Sequence, residues 1–125
     1  MKAKINYKLI QNNENALDLN YKGIFHLLDN NKYKLTYTED KVINTLIIDA
    51  ENKTVSIANR NVLFFEKGIT NTVEYKTDFG IIELKSICHD VNITLQEKKM
   101  ILELDYDLIQ GTDKLQNKLK IQILY

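Results

Sequence analysis

The sequence contains no proline, only four glycines and a single cysteine among its 125 residues. Disordered linkers are usually rich in proline or glycine, so we expect no long linker in the chain. One cysteine, Cys88, cannot form an internal disulfide, and a reducing compartment is therefore the simpler assumption. A chain of this length buries about two-thirds of the surface that its unfolded form exposes, so stability requires neither a disulfide nor a metal.

An excess of charge of one sign and long apolar runs are also missing. Lys plus Arg and Asp plus Glu both number 17, which gives a formal net charge of zero. Nucleic-acid-binding proteins usually show a clear basic excess, so we predict no nucleic-acid partner, although a local basic patch remains compatible with the balance. No apolar run has the length of a secretory signal or of a membrane-spanning helix. We therefore predict a cytoplasmic protein with no membrane partner.

Apolar and polar residues alternate along most of the chain, which is the period of a β-strand. The longest alternating run covers residues 17–27, and the turn-forming segment Asp29–Lys32 follows it. About ten such segments occur, with turns every 8 to 12 residues or so and no sustained helical stripe. Short connections favour hairpins, and closure removes exposed strand edges. We predict one all-β domain over residues 1–125, an antiparallel up-and-down meander that closes into a barrel of about 8–10 strands. Gly23, inside the longest run, predicts a bulge or bend at a barrel corner.

One segment carries a family resemblance. Residues Tyr75–Ser86 read Tyr-Lys-Thr-Asp-Phe-Gly-Ile-Ile-Glu-Leu-Lys-Ser. This segment resembles a signature of the YwiB-like family of small bacterial proteins of unknown function, in which an aromatic-Gly pair and a Glu-Leu-Lys strand follow a tyrosine. Further similarity runs through Arg60–Gly68, Leu104–Leu108 and Asn117–Ile121. Asn61 departs from the pattern, which often has glycine or another small residue there. The resemblance implies a calycin-like barrel, similar in architecture to lipocalins and fatty-acid-binding proteins, and it implies no activity.

The sequence shows no catalytic or metal-binding constellation. Cys88 and His89 are adjacent, and neighbouring strand residues point to opposite faces, so they are not expected to form a nucleophile–base pair. We expect the thiol to be buried and inert. Two histidines, His26 and His89, and one cysteine are too few for a typical zinc site. Asp105 and Asp107 are expected on a solvated outward face. We therefore predict no enzymatic activity, no metal and no cofactor.

The candidate ligand-binding residues are Arg60, Tyr75 and Lys85. Arg60 is the only arginine in the chain, and its planar fork suits a carboxylate or phosphate, or else a local salt bridge within a hairpin. The best-supported function is a binding module for an apolar or amphipathic small molecule inside the barrel. The alternative is protein–protein interaction or a homodimer without a small ligand, through the outward residues Phe64 and Ile81. Six tyrosines on alternating apolar faces either pack the core or line a cavity: Tyr7, Tyr21, Tyr33, Tyr37, Tyr75 and Tyr106.

Overall fold

The computed structural model describes residues 1–125 and contains ten β-strands, which confirms the predicted all-β class. It contains no helix that is long and apolar enough to cross a membrane. The strands, in chain order, are β1 (Lys2–Gln11), β2 (Glu14–Leu27), β3 (Lys32–Glu39), β4 (Val42–Asp49), β5 (Thr54–Ala58), β6 (Val62–Glu66), β7 (Thr70–Thr77), β8 (Gly80–Gln96), β9 (Lys99–Gln110) and β10 (Asp113–Leu124).

All ten strands belong to one antiparallel sheet with the order β6-β5-β4-β3-β2-β1-β10-β9-β8-β7. Two meanders, β1 to β6 and β7 to β10, are therefore joined by the pairing of β1 with β10, in which Lys4 lies opposite Leu124. The outer strands β6 and β7 approach each other. Nδ2 of Asn71 in β7 donates to the Phe64 carbonyl of β6 at 3.0 Å, and the Gly68 amide, in the turn between these strands, donates to the Cys88 carbonyl of β8 at 2.9 Å. The predicted meander is confirmed, and it nearly closes into a barrel with a seam between β6 and β7.

Several hairpins turn on residues with positive φ angles, a conformation that two-residue turns of the primed types require. Asparagine tolerates this conformation because its short side chain can hydrogen-bond locally. The chain can therefore make tight hairpins although it has few glycines. The positive-φ residues of three hairpins are Asn12 (48°) with Asn13 (66°), Asn30 (60°) with Asn31 (58°), and Asp40 (48°) with Lys41 (65°).

A cluster of 19 buried side chains fills the inside of the sheet. Its members alternate with exposed residues along each strand, as the sequence pattern predicts. Leu35, Leu46, Leu102 and Ile121 have no exposed surface. At one end of this core the ring of Tyr125 stacks on the ring of Phe25, with 4.4 Å between their centroids. Burial of this kind contributes about 1.5–3 kcal/mol for each large apolar side chain, so the inward faces dominate the stability of the fold.

Two local departures from regular pairing differ from the sequence prediction. One β-bulge lies at Ala16 in β2, opposite Leu9 and Ile10 of β1, and another lies at His89 in β8, between Cys88 and Asp90. At Gly23 the structure instead shows a close approach, because a Cβ atom there would lie 2.5 Å from the Thr36 carbonyl oxygen. Strand β2 therefore has no room for a side chain at this position.

Candidate functional site

Five of the tyrosines on the inner face of the barrel form what we call the tyrosine cluster: Tyr7, Tyr21, Tyr37, Tyr75 and Tyr106. Tyr37 and Tyr106 belong to the buried core, and Tyr7 and Tyr21 pack against it. The rings of Tyr21 and Tyr37 stack with centroids 4.9 Å apart. Tyr7, Tyr21 and Tyr75 are only half-buried. The inner face is therefore a closed apolar core that continues into a partly exposed aromatic surface.

The electrostatics of four members of the tyrosine cluster, Tyr7, Tyr21, Tyr37 and Tyr106, keep their hydroxyl groups protonated. Burial raises the pKa of Tyr7 to about 12, and the nearby carboxylate of Glu39 and the hydroxyl of Tyr75 add to this shift. Burial is also the largest cause of the raised pKa of the three other shifted members, Tyr21, Tyr37 and Tyr106. At neutral pH these hydroxyls are hydrogen-bond donors, and Glu39, two residues after Tyr37 on the same face of β3, is the acceptor beside them.

The structure does not bring the three predicted ligand-binding residues together. Tyr75 lies in β7 opposite Ile82 and belongs to the tyrosine cluster. Lys85 lies in β8 and is exposed on the opposite face from Ile82, because the two residues are three positions apart along the strand. Arg60 is exposed in the turn between β5 and β6. Ligand contact by these three residues stays a prediction.

A second feature is a hollow of about 920 Å³ on the outer surface of the barrel. Its walls are side chains that alternate with the inward-facing residues. Its floor includes the backbone positions Ala3 and Gly23, which lie opposite each other in β1 and β2. These two residues are the smallest inward-facing residues on their strands. We call this hollow the lysine groove. Besides its floor, it is lined by Lys2, Lys4, Lys22, Ile24, Thr36, Thr38, Leu124, Tyr37 and Tyr125.

A third feature is an ion-paired group on the outer face of β8, β9 and β10. Nε2 of His89 lies 2.7 Å from Oδ2 of Asp107, and Nζ of Lys114 lies 3.3 Å from the same oxygen. The expectation of a solvated Asp107 is wrong, since His89 and Lys114 cover it and leave it 5% exposed. Its burial alone would raise its pKa, but the hydrogen bonds from His89 and Lys114 outweigh that effect and lower the pKa of the carboxyl group below its ordinary value.

This group does not by itself make a catalytic site. It borders a hollow of about 330 Å³ whose lining contains no serine, threonine, cysteine or tyrosine that His89 could activate. Cys88, next in the chain, is buried, and its Sγ faces the Asp90 carbonyl oxygen at 3.6 Å. Burial raises the pKa of this thiol. No group of three or more His, Cys, Asp or Glu side chains is placed to hold a metal ion.

Comparison with known proteins decides the family. The family model for the domain of unknown function DUF1934 matches residues 2–123. The chain belongs to this family. Among solved structures, the crystal structure of ywiB protein from Bacillus subtilis is similar, with a TM-score of 0.83 and 19% sequence identity, over 98% of this chain and 90% of that chain. At that identity the likeness shows the fold alone. No curated relative of the chain was found by sequence. The YwiB-like resemblance is confirmed.

Within this DUF1934 domain, the sequence signals differ in how much of each site they reveal. Period-two alternation places Tyr75 on the inner face and Lys85 on the outer face. It does not reveal the pairing of His89 with Asp107, which are 18 residues apart and meet only through the register of β8 with β9. The lysine groove has a weak signal, since three lysines alternate with inward residues in the first two strands, but the residues of β3 and β10 that complete its lining are brought there only by strand pairing.

Proposed function

We propose that the protein is a binding module that takes one small apolar or amphipathic molecule at the tyrosine cluster. The supporting observation is that Tyr7, Tyr21 and Tyr75 stay half-buried on the inner face, beside the buried core that contains Tyr37 and Tyr106. Aromatic faces there offer contact area, and the protonated hydroxyls together with Glu39 offer polar contacts. Small barrels such as lipocalins hold one ligand inside, which agrees with the calycin-like resemblance of the sequence. We place this module in the cytoplasm, where Cys88 stays reduced.

The proposal is tested with an uncharged fluorescent probe, N-phenyl-1-naphthylamine, after native mass spectrometry for a co-purified ligand. Tyr75→Ala is expected to weaken probe binding by roughly tenfold, the loss of one aromatic contact. Tyr33→Ala is the matched control, because Tyr33 is also a half-buried inner-face tyrosine but stacks on Phe25 outside the tyrosine cluster. Equal effects of the two variants, or no saturable binding, would contradict the proposal.

The remaining predicted ligand residues are tested with the same probe. Arg60→Ala and Lys85→Ala are expected to leave its affinity within about twofold, since neither side chain lies on the inner face and the probe is uncharged. An anionic analogue of the probe separates their role from that of Tyr75. If the anionic analogue binds more tightly than the uncharged probe, and Arg60→Ala or Lys85→Ala removes that gain, the substituted residue is a polar contact of the ligand.

The second candidate function is self-association through the outer surface beside the seam. Phe79, in the turn between β7 and β8, is 101% exposed relative to the reference residue, and Ile81 and Val62 are 65% and 60% exposed. Phe64, predicted with Ile81 as the seed of such a surface, is 37% exposed. Exposed apolar residues of this number favour an interface. Sedimentation velocity is expected to show a dimer that Phe79→Ser with Ile81→Lys dissociates. A monomer at all concentrations would refute this candidate.

A further inference from the structure

The lysine groove holds uncompensated positive charge in a protein with no net charge. Its three lysines, Lys2, Lys4 and Lys22, have no carboxylate oxygen within 4.0 Å. By contrast, Lys8, further along the same face of β1, lies 3.9 Å from Oδ2 of Asp18. The difference between these neighbours shows that the sequence supplies a counter-ion to one end of the strand and none to the groove.

The strand register makes this charge more concentrated. Lys4 in β1 lies directly opposite Lys22 in β2. Side chains in such positions have Cβ atoms roughly 5 Å apart, and like charges placed there destabilise the sheet. Lys2 follows on the same face of β1, two residues from Lys4. The three ammonium groups therefore converge on one depression, and an anion held between them would relieve their repulsion.

The groove also offers apolar surface beside the charges. Ile24 lies opposite Lys2, and Leu124 lies opposite Lys4. Both aliphatic side chains point outward and are 42% and 47% exposed. A volume of about 920 Å³ is within the range of small-molecule sites. The lining carries no Asp or Glu side chain. Its two aromatic residues, Tyr37 and Tyr125, are already stacked on Tyr21 and Phe25, so the groove offers no free aromatic platform of the kind on which nucleic-acid bases stack.

We propose that the lysine groove binds a small amphipathic anion, a phosphate monoester on an alkyl chain. The phosphate oxygens accept hydrogen bonds from Lys4 and Lys22, with Lys2 as a third donor. The alkyl chain lies along Ile24 and Leu124. This site opens on the outer face of the barrel, whereas the tyrosine cluster lies on the inner face, and Tyr37 is the one residue that the two share.

The test is an NMR titration of the ¹⁵N-labelled protein with decyl phosphate, kept below its micelle concentration. Saturable shifts are expected at groove amides such as those of Lys4, Lys22 and Leu124. Inorganic phosphate and uncharged decyl maltoside, each lacking one of the two contacts, are expected to bind at least tenfold more weakly. Equal binding of decyl maltoside would overturn the role of the lysines, and equal binding of inorganic phosphate would overturn that of the aliphatic wall.

A matched pair of double variants isolates the groove from the general charge of the protein. Lys4→Gln with Lys22→Gln is expected to weaken decyl phosphate binding at least tenfold. Lys118→Gln with Lys120→Gln makes the same change in net charge on exposed positions of β10 outside the groove, and its effect is expected to stay within about twofold. All four lysines are exposed, so both variants should fold, which thermal unfolding verifies. Equal losses in the two variants would overturn the proposal.

Two further arms identify the source of the anion. Vesicles of phosphatidylcholine with phosphatidic acid present the same phosphate monoester on a lipid surface. Co-flotation that the Lys4 and Lys22 variant abolishes would support the site with a lipid as its source, and binding of free decyl phosphate without co-flotation would support it with a soluble ester. If a fifteen-nucleotide oligothymidine binds at a lower concentration than decyl phosphate and displaces it, the proposal is overturned in favour of nucleic acid.

Discussion

Gly23 is the one glycine of the chain at which the fold leaves no room for a side chain. A Cβ atom there would meet the Thr36 carbonyl oxygen at 2.5 Å, Cδ1 of Ile5 at 3.0 Å and Cβ of Tyr37 at 3.1 Å. The first of these is a backbone atom of a paired strand, so the sheet itself would have to move. Gly23 also belongs to the floor of the lysine groove.

Gly23→Ala is therefore expected to lower the free energy of unfolding by about 2–3 kcal/mol, in the range of overpacked cores. Urea denaturation measures this loss. The control is Gly111→Asn, at a turn with φ of +59° and no atom within 4 Å of a built Cβ, where asparagine is tolerated and the change is expected to stay below about 1 kcal/mol. Similar losses at both glycines would show that the close contact is not the cause.

Asp107 makes the stability depend on pH at the acid end. Its folded pKa lies below the ordinary carboxyl value, since the hydrogen bonds from His89 and Lys114 favour the ionised form over the opposing effect of burial. A carboxyl group whose pKa is lower in the folded state than in the unfolded state stabilises the fold at pH values above its unfolded-state pKa. This stabilisation is lost as the pH falls through its folded-state pKa.

The difference in unfolding free energy between the wild type and Asp107→Asn is thus expected to be constant above about pH 5 and to shrink below about pH 4. Urea denaturation across pH 2.5–6 provides the measurement. His89→Gln removes a charge-assisted partner of Asp107 and should move the loss to higher pH. An acid limb in Asp107→Asn that matches the wild type would refute the assignment.

The residues that sequence alternation placed well are those in uninterrupted strands. Cys88 is 1% exposed and Tyr37 is 5% exposed, as their inward phase predicts. Alternation assigns a side chain to a face, but it does not say what covers that face. Asp107 points outward as expected, and it is buried because His89 and Lys114 reach over it from neighbouring strands. Contacts of this type depend on register, which the order of residues along one strand does not contain.

Among the strands, β8 shows why element boundaries were harder to predict than element type. The pattern suggested one strand ending near Cys88 and another beginning near Val91. The structure has a single strand from Gly80 to Gln96 with a bulge between Cys88 and Asp90. One extra residue reverses the alternation, so a bulge within a long strand resembles a turn between two short ones. The inward positions on both sides of it were nevertheless correct.

The seam is the least strongly connected part of the sheet. No ladder joins β6 to β7, and the side-chain hydrogen bond from Asn71 to the Phe64 carbonyl is one of the few links across it. Backbone groups along these free edges lack the partners that the same groups have in β1 and β10. Amide hydrogen exchange is expected to be faster at unpaired edge amides of β6 and β7 than in β1.

Asn71→Ala is expected to lower the free energy of unfolding by about 1 kcal/mol, the contribution of one hydrogen bond, and to increase exchange in β6. Asn92→Ala is the control, since Nδ2 of Asn92 donates only to Asp90, two residues away, at 3.2 Å. It should leave exchange in β6 unchanged. Unaltered β6 exchange in Asn71→Ala would show that this side chain does not hold the seam.

In the whole molecule, the spatial order of the strands is a cyclic permutation of their order in the sequence. The sheet runs from β6 down to β1 and then from β10 down to β7. The first and last strands are central neighbours, and the two chain ends lie side by side where Lys4 pairs with Leu124. Alternation and short turns predicted the hairpins and the barrel, but they do not state which strands form the seam. That depends on where the growing sheet curves enough for its edges to approach.

A circular permutant tests this topology. A short linker from Tyr125 to Met1, with new ends between Lys67 and Gly68, makes every paired strand a sequential neighbour. Local contacts speed folding, so we expect the permutant to refold about tenfold faster than the wild type in stopped-flow experiments. A permutant opened between Asp40 and Lys41 replaces the distant β1–β10 pair with an equally distant β3–β4 pair. It should gain no speed, and equal acceleration of both permutants would refute the argument.

The central place of β1 also has a consequence for the protein while it is being made. β1 leaves the ribosome first, and its neighbour β10 (Asp113–Leu124) leaves last. At 5–20 residues per second, on the order of ten seconds pass between them. During that interval β1 has an unpaired edge, which will lie in the middle of the completed sheet. A second nascent chain on the same messenger RNA carries a β10 strand that could pair with this edge. Exchange of this strand between neighbouring chains is therefore the misassembly to which translation exposes this fold, and only the last hairpin ends the exposure.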